Sequence, residues 1–185
     1  MKDSLKYFEF FFQSLCREIG EDSGREGLKE TPKRVMESFA NLLGGYRQNP
    51  KELLGATFKD GVCDEMVIAK GIEFYSMCEH HLLPFFGSID IGYIPDKYIA
   101  GLSSLVRVVE AYAQRLQIQE SLTEQIAQCL LEELHPKGVI VVCRARHLCM
   151  SMRGVRKNPE IITSALRGLF KSDSKTRAEF MQLVK

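Results

Sequence analysis

Cys78-Glu79-His80-His81 and His147-Leu148-Cys149 hold three of the four histidines and two of the six cysteines in this chain of 185 residues. Thiolate and imidazole are ligands that zinc prefers, and the Cys-x-x-His spacing of Cys78 and His81 lets one turn present two of them to one ion. Cys149 is a distant third. Three protein ligands leave a coordination position for water and make a catalytic site, whereas four close it as a structural one. A carboxylate is a poorer partner for a thiolate-rich site, and adjacent histidines rarely both reach one metal. Glu79 therefore falls outside the ligand set, and His80 is left for acid–base or stacking work.

The elements that carry these residues follow from periodicity. Val139 to Arg153 reads as one long or bent strand, opening with the β-branched run Val139-Ile140-Val141-Val142. Residues two apart in a strand share a face and lie ~7 Å apart, so His147, Cys149, Ser151 and Arg153 are expected to project one way. Leu148, Met150 and Met152 would then pack on the opposite face. Cys143 falls on the Cys149 face, and a closed set of Cys78, His81, Cys143 and Cys149 is conceivable. Roughly 20 Å of extended strand separates the two thiols, so one ion meets both only if the strand folds back. Cys16, Cys63 and Cys129 are expected to serve as small buried hydrophobes.

Leu5, Phe8, Phe11, Phe12, Leu15 and Ile19 recur at helical spacing and predict an amphipathic helix ending near Gly20, suited to packing or an oligomer contact. Thr31-Pro32 starts a second helix with Val35, Phe39, Leu42 and Leu43 as its buried stripe, stopped by Gly44-Gly45. Between about Val67 and Ile94 the period shortens towards two. Ile89, Ile91 and Tyr93 alternate there with Ser88, Asp90 and Gly92, which predicts a strand on a sheet with one buried face, ended by Pro95-Asp96. Helices follow from Ser103 to about Leu116 and from Glu120 to about Leu134. Leu105, Val106, Val109 and Tyr112 line the first, and Leu122, Ile126 and Leu130 the second. Their short connector makes them antiparallel neighbours. A last amphipathic helix spans roughly Ser172 to Leu183. No internal repeat, low-complexity tract or Pro- or Gly-rich linker interrupts the order, which indicates one α+β domain over 1–185, with an N-terminal helical part, 1–50, and a core, 57–185.

With 45% hydrophobic and 26% charged residues, and 25 Lys plus Arg against 24 Asp plus Glu, the chain lacks a general electrostatic footprint for nucleic acid or an anionic membrane. An anionic ligand must meet a local set of bases, for which Arg34, Arg107, Arg153, Arg156, Lys157 and Arg167 are candidates. Neither a G-x-x-x-x-G-K-[ST] loop nor a G-x-G-x-x-G turn occurs, so bound phosphates would act as a handle and not as the reacting group. Glu9 and Gln13 interrupt the apolar start, no small-residue cleavage site follows, and no run approaches the ~20 apolar residues of a membrane span. A cytoplasmic protein with free or metal-bound thiols is expected.

From roughly Gly24 to the C-terminus the chain resembles the GTP cyclohydrolase I family. The likeness rests on REGLKETPKRV (25–35), FYSMCEHHLLPFFG (74–87), GLSSLVRVVEAYAQRLQIQESLTEQIA (101–127), RHLCMSMRGV (146–155) and TSALRGLF (163–170). The resemblance implies a tunnelling fold, in which a four-stranded antiparallel sheet carries a pair of antiparallel helices. Subunits of that fold join edge to edge into ring-shaped homo-oligomers, typically a decamer. It implies Zn²⁺ held by Cys78, His81 and Cys149, with water in the fourth position. It also implies GTP as substrate, opened at C8 of guanine with loss of formate and rearranged to 7,8-dihydroneopterin triphosphate, the first step of folate and pterin synthesis. By match to the motifs, His147 protonates the purine nitrogen beside C8, and His80 assists opening of the sugar. Glu120 accepts the guanine edge, with Gln119 in the same pocket, and Ser103 contacts the ribose or phosphate region. Arg107 and Arg153 bind triphosphate, with Arg34 joining from a neighbouring subunit.

Two positions depart from that pattern. Most relatives carry Lys where Ser104 stands, so one triphosphate cation is missing, and many carry an acidic residue in place of Arg144. Position 144 lies on the strand face opposite His147, so packing or an interface should feel that change before the chemistry does. Two rival readings compete with the cyclohydrolase. A thiol-using reductase of a modified guanine has no need of the CEHH and HLC motifs. A zinc-stabilised binding module would need four closed ligands and has no use for His80, His147 and Glu120 together.

Overall fold

The computed structural model describes residues 2–55, 57–59 and 64–185, so Cys63 lies outside the described residues. The chain divides into two compact units, Met1–Leu43 and Gly44–Lys185.

The first unit comprises α1 (Lys2–Ile19), α2 (Glu26–Lys29) and α3 (Thr31–Leu42), with α1 packed on α3. Gly20 ends α1 in the left-handed region, at φ 75°, where a side chain would be strained. Pro32 sits in the first turn of α3, where its missing N–H costs nothing. The apolar stripes are less covered than their periodicity predicts. Phe11, Leu15, Ile19 and Leu42 are exposed, as are Tyr7 and Phe10. One packed neighbour covers a narrow strip of a helix, and the α1 stripe is wider than that.

The second unit begins with a 3₁₀ turn (Gly44–Arg47), α4 (Pro50–Leu53) and β1 (Thr57–Phe58), then β2 (Val67–Cys78), β3 (Pro84–Ile94) and β4 (Ile99–Ala100). The helix pair is α5 (Leu102–Ala113) and α6 (Gln119–Leu134), with β5 (Leu116–Gln117) in the connector. The chain ends with β6 (Gly138–His147), α7 (Leu148–Ser151), β7 (Ile161–Gly168), α8 (Leu169–Ser172) and α9 (Ser174–Leu183). The main sheet runs β5-β2-β3-β6-β7, and β1 and β4 pair separately. The pairs β2–β3, β3–β6 and β6–β7 are antiparallel, which gives the expected four-stranded antiparallel sheet. To it β5 adds two residues in parallel, Leu116 beside Met77 and Gln117 beside Cys78. The connector is thus part of the sheet, and α5 stops at Ala113 and not near Leu116.

The helix pair lies on one face, α5 against β2 and α6 against β6 and β7. Ile89, Ile91, Tyr93, Val141 and Cys143 meet Leu105, Val108, Leu122, Ile126 and Leu130 in the main core. Val106, expected in that stripe, is exposed, and Val108 takes the buried place. The opposite face of β3 is not open to water as the alternation predicts. Asp90 and Gly92 are buried there too, because α8 and α9 fold back over Ile94, Ile140 and Val142 with Phe170 and Phe180. A Cβ on Gly92 would lie 2.6 Å from the Phe180 ring, so only glycine admits that contact. Asp90 accepts a 2.7 Å hydrogen bond from the Gly71 N–H, at the irregularity in β2, and pairs with Arg144. Arg144 neutralises a buried carboxylate, which is a packing role.

Two segments differ from their expected form. β6 ends at His147, and Leu148–Ser151 is a helical turn where a continuing strand was expected. β7 was not anticipated, although Ile161, Ile162 and Thr163 are three β-branched residues in succession. Cys16 and Cys129 are buried, as expected, and the described cysteines are free thiols. No helix among the described residues is long and apolar enough to cross a membrane.

Candidate active site

The β2–β3 connection has five residues, 79–83, and reverses the chain tightly. Cys78 N–H donates to the Leu83 carbonyl at 2.9 Å, Leu82 N–H donates to the Cys78 carbonyl at 2.9 Å, and Leu82 adopts φ 52°. The reversal returns His81 over Cys78, with Sγ and Nδ1 3.7 Å apart. In the next ladder Phe85 pairs with His147, so the end of β6 arrives beside the start of β3. The helical turn that follows swings Cys149 inward. Its sulfur, the Cys78 sulfur and a ring nitrogen of His81 all lie within 4.8 Å of one another.

This donor set fits a tetrahedral soft-to-borderline cation. Two sulfurs at ~2.3 Å and a nitrogen at ~2.0 Å from one ion lie roughly 3.6 Å from each other. The Cys78–His81 separation of 3.7 Å already matches. The thiols are buried, while His81 faces solvent. Burial, and then the neighbouring Cys78 sulfur, push the Cys149 thiol upward, so ionising both sulfurs together calls for a cation between them. Cys143 does not join them. It stays in the middle of β6 with no exposure, and burial pushes its thiol up to about 12. The strand does not fold back, so the group among the described residues has three members.

His147 closes β6 with its ring stacked on Phe85, at 4.7 Å between centroids and 1° between planes. Its Nε2 faces Gln119 Oε1 at 2.8 Å. Burial lowers its pKa, and Glu120 opposes that shift. The expected common face of His147, Cys149, Ser151 and Arg153 does not exist, because the helical turn replaces the two-residue period. Ser151 Oγ donates to the His147 carbonyl at 3.2 Å, Met152 is exposed, and Arg153 enters a wholly exposed stretch. His80 is exposed, with Nε2 3.8 Å from Glu79 Oε1 and its ring edge-on to His81.

Residues 8–185 match the family model described as GTP cyclohydrolase I. The chain belongs to the GTP cyclohydrolase I family. It is 60% identical over 175 residues to GTP cyclohydrolase 1 of Helicobacter hepaticus, covering 95% of this chain and 85% of that protein. It is 60% identical over 178 residues to the Helicobacter pylori (strain G27) protein of the same name, covering 96% and 99%. The Wolinella succinogenes GTP cyclohydrolase 1 is 57% identical over 182 residues, covering 98% and 97%. A solved structure of the archaeosine synthase QueF-Like in the apo form aligns with TM-score 0.39 at 14% identity, over 55% of this chain and 91% of that one.

In this member of the GTP cyclohydrolase I family the remaining candidates are spread more widely. Glu120 is exposed in the first turn of α6, next to buried Gln119. Ser103 and Arg107 are exposed on α5, one helical turn apart, whereas Ser104 between them is buried. No hydrogen bond or ion pair among the described residues links Ser103 or Arg107 to the Cys78–His81–Cys149 group. Arg34 belongs to the first unit, on α3. Arg34, Arg107 and Arg153 form no ion pair among the described residues. Sequence reasoning did not single out Phe85 as the support of the His147 ring, although the adjacent aromatics of PFFG at the start of a strand were a usable signal. The Ile161 carbonyl, which accepts a 2.9 Å hydrogen bond from the Gln119 amide, arrives through the pairing of β7 with β6, and no local pattern in the sequence marks it.

Proposed function

We propose that this chain hydrolyses GTP at C8 of the guanine ring, releases C8 as formate and rearranges the product to 7,8-dihydroneopterin triphosphate, opening folate and pterin biosynthesis in the cytoplasm. The observation that carries the reading is the meeting of Cys78, His81 and Cys149 beside the braced His147, in a chain of this family. Two thiolates and an imidazole favour Zn²⁺ over harder cations. Bound there, zinc supplies Lewis-acid activation of a water at neutral pH.

The chain's own residues do the rest. His147, its ring clamped on Phe85, protonates the purine nitrogen beside C8 as the imidazole bond breaks. Glu120, in the first turn of α6, accepts the paired N–H groups of the guanine edge. His80, exposed on the hairpin, assists opening of the ribose, and Ser103 contacts the ribose or phosphate region. The unpaired guanidinium groups of Arg107 and Arg153 grip the triphosphate, with Arg34 contributed by a neighbouring subunit. Ser104 is buried and cannot stand in for the lysine of most relatives without a change in helix packing, so affinity leans on those arginines.

A ring-shaped homo-oligomer, a decamer, is part of the same proposal, and the open sheet edges support self-association. Among the described residues β7 pairs only with β6, and β2 meets β5 only at Met77 and Cys78, which leaves two ladder edges for neighbouring copies.

Purified protein incubated with GTP should yield formate and a fluorescent pterin, with zinc present in the wild type. Cys149→Ser should lose zinc and both products together. Zinc-loaded wild type that releases no formate would overturn the proposal, and formate without pterin would restrict it to ring opening.

A further inference from the structure

Gln119 was expected to act directly in the pocket, but both N–H donors of its side-chain amide are already used. The residue is 2% exposed. A primary amide has two N–H donors and one carbonyl acceptor. Both donors are committed to main chain, one to the Cys143 carbonyl at 3.2 Å and the other to the Ile161 carbonyl at 2.9 Å. Turning the amide over would set Oε1 against two carbonyl oxygens, so β6 and β7 dictate its orientation. The acceptor end is thereby pointed at His147 Nε2, 2.8 Å away.

An amide oxygen at that distance requires a hydrogen on the facing nitrogen. We propose that Gln119 is a positioning residue that holds His147 with its hydrogen on Nε2, leaving Nδ1 as the nitrogen that exchanges protons with substrate. Four elements enforce this arrangement. β6 carries the ring, β3 supplies the parallel Phe85 plane that stops it tilting, β7 supplies a carbonyl, and the first residue of α6 supplies the amide. Flipping the ring about Cβ–Cγ would put a C–H against Oε1 and forfeit the bond. No hydrogen bond to Nδ1 occurs among the described residues. For His147 to give a proton to the purine nitrogen, the bare Nδ1 first takes one up from solvent, making the ring an imidazolium; the N–H bond at Nδ1 then breaks as the new N–H bond forms on the purine, while the Nε2 hydrogen stays with Gln119. The role of Nδ1 rests on the proposed cyclohydrolase reaction; the hold of Gln119 on the ring does not.

Solid-state NMR of the zinc-loaded protein labelled with ¹⁵N-histidine reads the two ring nitrogens directly, with His147→Asn assigning the signal. The wild type should show a protonated Nε2 and a bare Nδ1 in the neutral ring. Gln119→Leu should populate both tautomers and lower kcat for formate release by about ten- to a hundredfold, while leaving zinc content and the KM for GTP close to wild type. A wild-type ring carrying its hydrogen on Nδ1 would overturn the proposal whether or not the variant folds. So would a variant with unchanged tautomer and kcat, or one with raised KM and unchanged kcat, since Gln119 would then touch substrate. Wild type with the expected tautomer but no formate release would overturn the cyclohydrolase reading and the role of Nδ1, and leave the positioning of the ring standing.

Discussion

Cys143 and Cys149 belong to one stretch of chain and are both buried, at 0% and 8% exposed, yet the fold gives them different company. Cys143 lies in the middle of β6, between β3 on one side and β7 on the other, under the side chains of α6. Burial there outweighs the side chains of Thr123, Thr163 and Gln119 beside it, so its thiol stays protonated. Cys149 lies just past the strand's last paired residue, where the backbone is free to bend into a helical turn and face the β2–β3 hairpin. Burial does not distinguish the two thiols; position relative to the end of the ladder decides which of them meets other metal-ligating side chains.

The largest test of that contrast is the pair Cys149→Ser and Cys143→Ser. The first should abolish zinc binding and reduce formate release by roughly a thousandfold or more, the scale of lost water activation. The second should keep both, and metal loss there would break the comparison. Next in size, Glu120→Ala should raise the KM for GTP by about ten- to a hundredfold, the worth of one or two hydrogen bonds to a charged group, with zinc retained by elemental analysis. Zinc loss in that variant would show that the hairpin and α7 depend on α6 for their placement.

Smaller effects concern Cys143 itself. Cys143→Ala should cost about 1–2 kcal/mol in denaturant unfolding, as a small deletion from a packed core does. With its pKa pushed up to about 12, Cys143 should resist alkylation at pH 8 in the folded protein and react on unfolding. The sign of the linked stability follows. Above a pKa of ~8.5 the unfolded chain releases this proton while the folded chain keeps it, so stability falls as pH rises from about 9 towards 12. Tyr112, also pushed up to about 12 by burial, adds to the decline above pH 10. Cys143→Ser should flatten the first part of that curve.

Much of the architecture was legible in the sequence because it is written in local periodicity. The start of α3 at Thr31-Pro32, the end of α1 near Gly20 and the alternating core residues Ile89, Ile91 and Tyr93 all depend on neighbours a few positions away. Three features were not legible for the same reason. β5 exists because a connector passes beside Met77 and Cys78, which no pattern in Leu116-Gln117 announces. Asp90 is buried because α9 returns to cover its face and Arg144 neutralises it. The turn at Leu148–Ser151 follows a β-rich run whose alternation continues on paper through Met152, and only the end of pairing with Phe85 shows where the strand stops.

Within the site, the sequence alone determined the ligand chemistry on offer, two thiols and an imidazole at diagnostic spacing, and the family to which the chain belongs. Side-chain type and short spacing are local properties. Tertiary structure decided which of two cysteines faces Cys78 and His81, what braces the His147 ring, and that the Gln119 amide is committed to main-chain carbonyls. Those outcomes depend on strand register between segments far apart in the chain. A single position of slip in β6 would exchange its two faces and dismantle them all.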